Sequence, residues 1–97
     1  MFTRALNTQI DPANSDKVMK IWREHITLIL KRQKGFVRGY ALTNSTTGKG
    51  LIISIWESEE DATYYEKSGD FEAAISPIRQ YFITPPYIDY FDEENIV

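Results

Sequence analysis

The run Leu51-Ile52-Ile53-Ser54-Ile55-Trp56-Glu57 leaves this chain few options. It is the most apolar stretch of the protein, it ends in a tryptophan, and it leads straight into Ser58-Glu59-Glu60-Asp61, which has the chemistry of a helix start. A continuous apolar run of this length reads as a strand buried on both faces, followed by a helix packed over one of them. Whatever surrounds it must cover two sides of a sheet.

The flanking segments supply that sheet and its helices. From Phe2 to Ile10 the residues alternate, with Phe2, Arg4, Leu6, Thr8 and Ile10 on one side and Thr3, Ala5, Asn7 and Gln9 on the other. Period two predicts a first strand. Asp11-Pro12-Ala13-Asn14-Ser15 is turn chemistry, and Asn14 or Ser15 is placed to cap a helix beginning at Asp16. That helix should run to about Lys34, because Val18, Ile21, Trp22, Ile26, Leu28 and Ile29 recur at steps of three and four and Gly35 supplies a stop. His25, the one histidine, falls between Ile21, Trp22 and Ile29 on that wheel and is expected to face inward.

Phe36 to Asn44 alternates again, and the polar loop Asn44 to Gly50 makes strands two and three antiparallel neighbours. Ser58 with Asp61 three residues on resembles a capping box for a second helix ending near Lys67. Ser68-Gly69-Asp70 breaks it; Phe71 to Ile75 starts another turn or two, which Pro77 should kink or end. Thr84-Pro85-Pro86 excludes helix and introduces strand four, Tyr87 to Phe91, before an acidic tail at 92–97.

The order β-α-β-β-α-β predicts an α+β, ferredoxin-like antiparallel sheet with its helices on one face, within a single domain of residues 1–97. The other face would then be an apolar patch too large for an isolated chain, so a homodimer packed sheet face to sheet face is expected, a dimeric α/β barrel. Alternation assigns Phe2, Leu6, Phe36, Tyr40, Leu42, Ile53 and Ile55 to the dimer face. Ala5, Asn7, Val37, Gly39, Ala41, Ile52, Ser54 and Trp56 are assigned to the helix side, where small residues leave room for a pocket.

Composition narrows the partners. With 11 basic and 14 acidic residues mixed along the chain and a net charge of −3, no basic patch suits a phosphate backbone, so nucleic acid is not expected. The absence of cysteine removes disulfides, thiolate nucleophiles and cysteine-ligated metals, and one histidine is too few for an imidazole metal site. No stretch approaches the ~20 apolar residues of a membrane span, and Met1 to Leu6 lacks the pattern of a signal peptide. A cytoplasmic protein without metal or other cofactor is the expectation.

A strand ending in Trp56, then Ser58, Glu60, Ala62, Tyr65, Ser68 and Phe71, with Gly35-Phe36 opening strand two, resembles the antibiotic biosynthesis monooxygenase family of dimeric α/β barrels. The resemblance extends over nearly the whole chain in element order, and its specific part is Trp56 to Phe71. It implies a dimer, and one of several activities: cofactor-independent oxygenation of quinols or polycyclic phenols, haem degradation, or none known. In the haem-degrading branch an Asn on strand one, the strand-three Trp and a His after the Phe of the third helix are used. Asn7 and Trp56 match, but Ile75 stands near the position of the ligand, which would leave ligation to His25. The oxygenase branch with an Asn four residues before the Trp meets Ile52 here.

Taken together, these readings make His25, Asn7 and Trp56 the candidate catalytic residues and Trp22, Ser54 and Tyr65 the candidate substrate contacts. An imidazole titrates near neutral pH and suits removal of a phenolic or benzylic proton. A carboxamide and an indole N–H suit the resulting anion. Each also has a plain packing reading: Trp56 as a core aromatic, His25 as a hydrogen-bonded interior histidine, Asn7 as a structural amide. The leading expectation is a cofactor-independent monooxygenase acting on a small aromatic substrate. The alternatives are a non-catalytic dimeric module for a small ligand or for assembly, and, third, a haem-binding relative.

Overall fold

The computed structural model describes residues 1–97. In chain order it contains β1 (Phe2–Gln9), a 3-10 turn (Pro12–Asn14), and a helical rod made of α1 (Ser15–Ile21), a π-helical stretch (Trp22–Ile26) and α2 (Thr27–Lys31). There follow β2 (Phe36–Thr43), β3 (Lys49–Trp56), α3 (Glu59–Lys67), α4 (Asp70–Arg79) and β4 (Tyr87–Phe91). The strands form one antiparallel sheet in the order β2-β3-β1-β4, which with its helices is the ferredoxin-like fold. Leu6 of β1 and Trp56 of β3 meet Ile26, Leu30, Tyr65 and Ile75 from the helices in one buried core.

Local chemistry accounts for the element ends. The Asp11 carboxylate accepts from the Ala13 N–H at 2.9 Å and Pro12 opens the 3-10 turn, so Asp11 caps that turn, while Asn14 stands at the N-cap position of α1, as expected, without a hydrogen bond from its side chain. Ser58 caps α3 as read from the sequence: its hydroxyl accepts from the Asp61 N–H at 3.2 Å and donates to the Asp61 carboxylate at 3.0 Å. Gly48 takes φ 78° in the β2–β3 hairpin, and a Cβ there would stand 1.9 Å from the Ile10 carbonyl oxygen.

Four expectations are corrected. Strand one is turned over: Phe2, Arg4 and Leu6 lie opposite Trp56, Ser54 and Ile52, so they share the helix side, while Ala5 and Asn7, opposite Ile53 and Leu51, lie on the open face. Alternation states which residues share a face within a strand and is silent on which set of one strand joins which set of the next. On β2 the pairing passes from Phe36 opposite Trp56 to Arg38 opposite Ile55, a bulge at Val37. It sends Phe36 under the helices and leaves Tyr40 and Leu42 on the open face. In the rod, Leu28 is exposed and Leu30 buried. Finally, α4 runs through Pro77 to Arg79, so of the kink or end expected at the proline, the end does not occur.

Candidate functional site

Trp56 ends β3 at the centre of an aromatic interior. It is fully buried, and its indole N–H donates to the hydroxyl of Ser54, two residues back on the same face, at 2.9 Å. Tyr65 of α3 stacks on it with ring centroids 5.0 Å apart, and Phe36 meets it edge-on at 5.7 Å. Phe71 closes the row edge-on to Tyr65 at 5.7 Å. Trp56 is therefore in contact with both Ser54 and Tyr65.

Arg4 enters the same interior from β1 and was not foreseen there, because strand one was assigned the other way up. Only 3% exposed, its guanidinium lies 4.4 Å from the Phe71 ring centroid and 5.2 Å from that of Tyr65. Its Nε donates to the Glu66 carboxylate at 2.6 Å, and the Tyr90 hydroxyl donates to both oxygens of that carboxylate at 2.8 and 2.9 Å. Arg4 Nη2 is buried without a protein partner. Burial pushes the Tyr65 phenol up to about 12, with the Arg4 charge opposing the rise, so this ring stays neutral. Burial and the hydrogen bond to Glu66 also raise Tyr90. The sequence signal for Arg4 was its position between Phe2 and Leu6 on one side of a strand.

Between the rod and the sheet lies an apolar cleft walled by Trp22, Ile26, Ala41, Ile52 and Ile78, with Thr8 at one side. Its free volume is about 20 Å³, enough for a water and far below an aromatic ligand. Trp22 also borders an outer hollow of about 370 Å³ at the β2 edge, so this side chain is common to both spaces. Trp22 belongs to the π-helical stretch, in which the Thr27 N–H reaches back five residues to the Trp22 carbonyl. Such stretches are frequent at functional sites.

His25 lies in the same stretch and is half-buried at the junction with α4, outside the lining of the cleft. Its Nε2 donates to the Ala73 carbonyl at 2.9 Å. The cause lies in α4: Pro77, four residues after Ala73, has no N–H, so the Ala73 carbonyl loses its helical donor and takes the imidazole in its place. This contact puts the proton of neutral His25 on Nε2 and leaves the lone pair on Nδ1. Asn7, on the open face, donates to the Asp89 carboxylate at 3.0 Å and to the Ala5 carbonyl at 3.3 Å. Within one chain, then, Asn7, His25 and Trp56 occupy three places: the far side of the sheet, the rod–α4 junction and the aromatic interior. No three His, Cys, Asp or Glu side chains gather in a metal-holding group.

Comparison with known proteins follows the same fold. Residues 1–76 match the family model described as antibiotic biosynthesis monooxygenase. No curated protein matches the sequence. Among solved structures, a candidate antibiotic biosynthesis monooxygenase from Bordetella bronchiseptica superposes with a TM-score of 0.82 at 12% identity, over 99% of this chain and 97% of the other. SnoaB, a cofactor-independent oxygenase from Streptomyces nogalater, gives 0.77 at 15% identity over 99% and 95%. The ActVA-Orf6 monooxygenase of Streptomyces coelicolor, solved with nanaomycin D, gives 0.75 at 16% identity over 99% and 89%. At these identities the structures establish the shared fold, and the family model, covering most of the sequence, establishes the lineage: the chain belongs to the antibiotic biosynthesis monooxygenase family.

Proposed function

We propose that this protein is a cofactor-independent monooxygenase that oxidises an electron-rich aromatic substrate, a quinol or polycyclic phenol, with O2 in the cleft beneath the rod. The observation that carries this reading is the place of Trp22, between a closed apolar cleft and a hollow open to solvent. A substrate entering past this ring leaves water behind, and the π-helical stretch that carries Trp22 also carries His25, so a shift that opens the cleft moves the imidazole with it. His25 Nδ1 takes a proton from the phenol or the ring CH2. The carbanion passes an electron to O2, the radical pair joins in a C–O bond, and cleavage of the O–O bond leaves a carbonyl and one water. In balance, CH2 + O2 gives C=O + H2O, and the substrate is its own reductant. Trp56, Ser54 and Tyr65, with Arg4 paired to Glu66 beside them, line neither the cleft nor the hollow; in this reading they are the packed aromatic interior that holds β3 in place under the rod. Asn7 has no part in this single-chain site.

The test is oxygen uptake by metal-free protein with a panel of quinols and anthrone-like phenols. Uptake that falls at least tenfold in both His25→Ala and Trp22→Ala supports the assignment. Uptake no faster than spontaneous oxidation, or untouched by both substitutions, refutes it.

The open sheet face supports a homodimer. Tyr40, Leu42, Tyr87 and Phe91 on that face are each 44–59% exposed, an apolar surface suited to a second copy. Light scattering should give twice the 11.3 kDa chain mass, and Tyr40→Asp should shift it toward the monomer. A second reading is favoured by the engaged state of the polar groups: the Trp56 N–H is held by Ser54 and His25 Nε2 by Ala73. It is a non-catalytic dimeric module binding a small apolar ligand, and thermal stabilisation by such a ligand without turnover would select it.

A further inference from the structure

The outer hollow at the β2 edge combines aromatic walls with two cations. Trp22 and Phe36 provide aromatic walls, and Gly39 lies where the two rings converge: a Cβ there would stand 3.4 Å from Trp22 Cη2 and 3.3 Å from Phe36 Cζ. Lys31 and Arg38, both exposed, line the same hollow, and no carboxylate does. In a chain of net charge −3 this is an inversion of the local sign. The contrast is internal as well, since the hollow beside Phe2 and Tyr90, also about 370 Å³, is lined by Glu59, Glu66 and Asp92.

The β2 bulge builds this place. Val37 has no counterpart on β3, so Phe36 turns under the helices while Arg38, two residues on, emerges at the rim of the same hollow. Without the extra residue, Phe36 and Arg38 would share one face. With it, an aromatic wall and a cation from one short segment frame a single space of ligand size. Two aromatic rings offer a planar ligand stacking, and two cations offer its acidic group charge-assisted hydrogen bonds.

We propose that this hollow selects planar aromatic anions, with the ring between Trp22 and Phe36 and a carboxylate or phenolate held by Lys31 and Arg38. It rests on the oxygenase reading in one respect: the same Trp22 leads on to the cleft, so the substrate of that reaction carries a negative group that remains outside while its ring passes inward. The charge places the substrate and takes no part in the electron transfer.

Binding alone tests this, with probes that cannot be oxidised under the conditions. 2-Naphthoate, 2-naphthalenemethanol and 2-naphthylmethylammonium share one ring system and differ in charge. Titration followed by tryptophan fluorescence and calorimetry at low salt should show naphthoate binding at least fivefold tighter than the alcohol, with the ammonium weakest. The preference should shrink as salt rises to 0.2 M, since exposed charges are screened. Lys31→Gln with Arg38→Gln, at exposed positions that leave the core intact, should weaken naphthoate at least fivefold and leave the alcohol within twofold. Equal binding of naphthoate and alcohol, naphthoate affinity unchanged in the double variant, or no binding of naphthoate would overturn the proposal. None of these outcomes bears on oxygen uptake with neutral quinols, so failure here is distinguishable from failure of the oxygenase reading.

Discussion

Replacing His25 with alanine separates its structural work from any chemistry. In the folded protein the imidazole supplies a donor to the Ala73 carbonyl, and the Ser76 hydroxyl, at 3.4 Å, is the other side-chain donor near it. Removing a hydrogen bond of this kind costs about 0.5–1.5 kcal/mol, toward the lower end where water can reach the freed carbonyl. For a domain of this size a loss of about 1 kcal/mol lowers the melting temperature by roughly 4–8 °C. The need for the imidazole originates in Pro77, so the loss should depend on it. In a Pro77→Ala background the restored N–H at 77 serves the Ala73 carbonyl, and His25→Ala should then cost only a few tenths of a kcal/mol, about the limit of resolution of such a cycle. Urea unfolding of the four proteins measures the coupling, expected at about 0.5–1 kcal/mol. An equal cost of His25→Ala in both backgrounds would refute the account of the His25–Ala73 contact. Oxygen uptake supplies the second readout: if His25 is the base, Pro77→Ala restores the stability of His25→Ala and leaves its activity lost.

Other consequences follow from the interior and the hairpin. Ser54→Ala should destabilise by about 1–3 kcal/mol, because the buried Trp56 N–H loses its acceptor; urea denaturation with tryptophan fluorescence reads it. Tyr65, held near 12 against 10.0 for a free phenol, keeps its proton in the folded state after the unfolded chain has lost it. Its stabilising contribution is therefore complete below about pH 10 and is lost as pH rises toward 12, a change of order 2–3 kcal/mol. Tyr65→Phe should flatten that part of the stability profile relative to the parent protein, and an unchanged slope would contradict the assignment. Gly48→Ala should cost more than the ~1–3 kcal/mol of its positive φ, since its Cβ meets the Ile10 carbonyl, and its melting temperature should fall accordingly.

Much of this molecule was legible in its sequence. The doubly apolar run at 51–57 is β3 between two partners, Ser58 starts α3, and the polar stretch after Asn44 is the hairpin, because each of these rests on short-range chemistry. The facing of β1 was not legible: Phe2, Arg4 and Leu6 alternate with Thr3, Ala5 and Asn7 equally well in either orientation, and the choice is made by pairing with β3. That choice moved Asn7 out of the candidate site and Arg4 into the interior. The Val37 bulge and the π-helical stretch each disrupt a regular period through tertiary packing, so periodicity could not announce them. His25 was recognised as hydrogen-bonded or catalytic, but its partner could not be named, since Ala73 matters only through a proline 52 positions from His25.

The oxygenase assignment is tested most directly by isotope. Metal-free protein, an anthrone-like phenol and 18O2 in ordinary water should yield a quinone carrying one 18O atom per molecule, at a rate well above spontaneous oxidation and with one O2 consumed per substrate. A product formed at the spontaneous rate, or one formed faster only when a flavin, haem or metal is added, would contradict it.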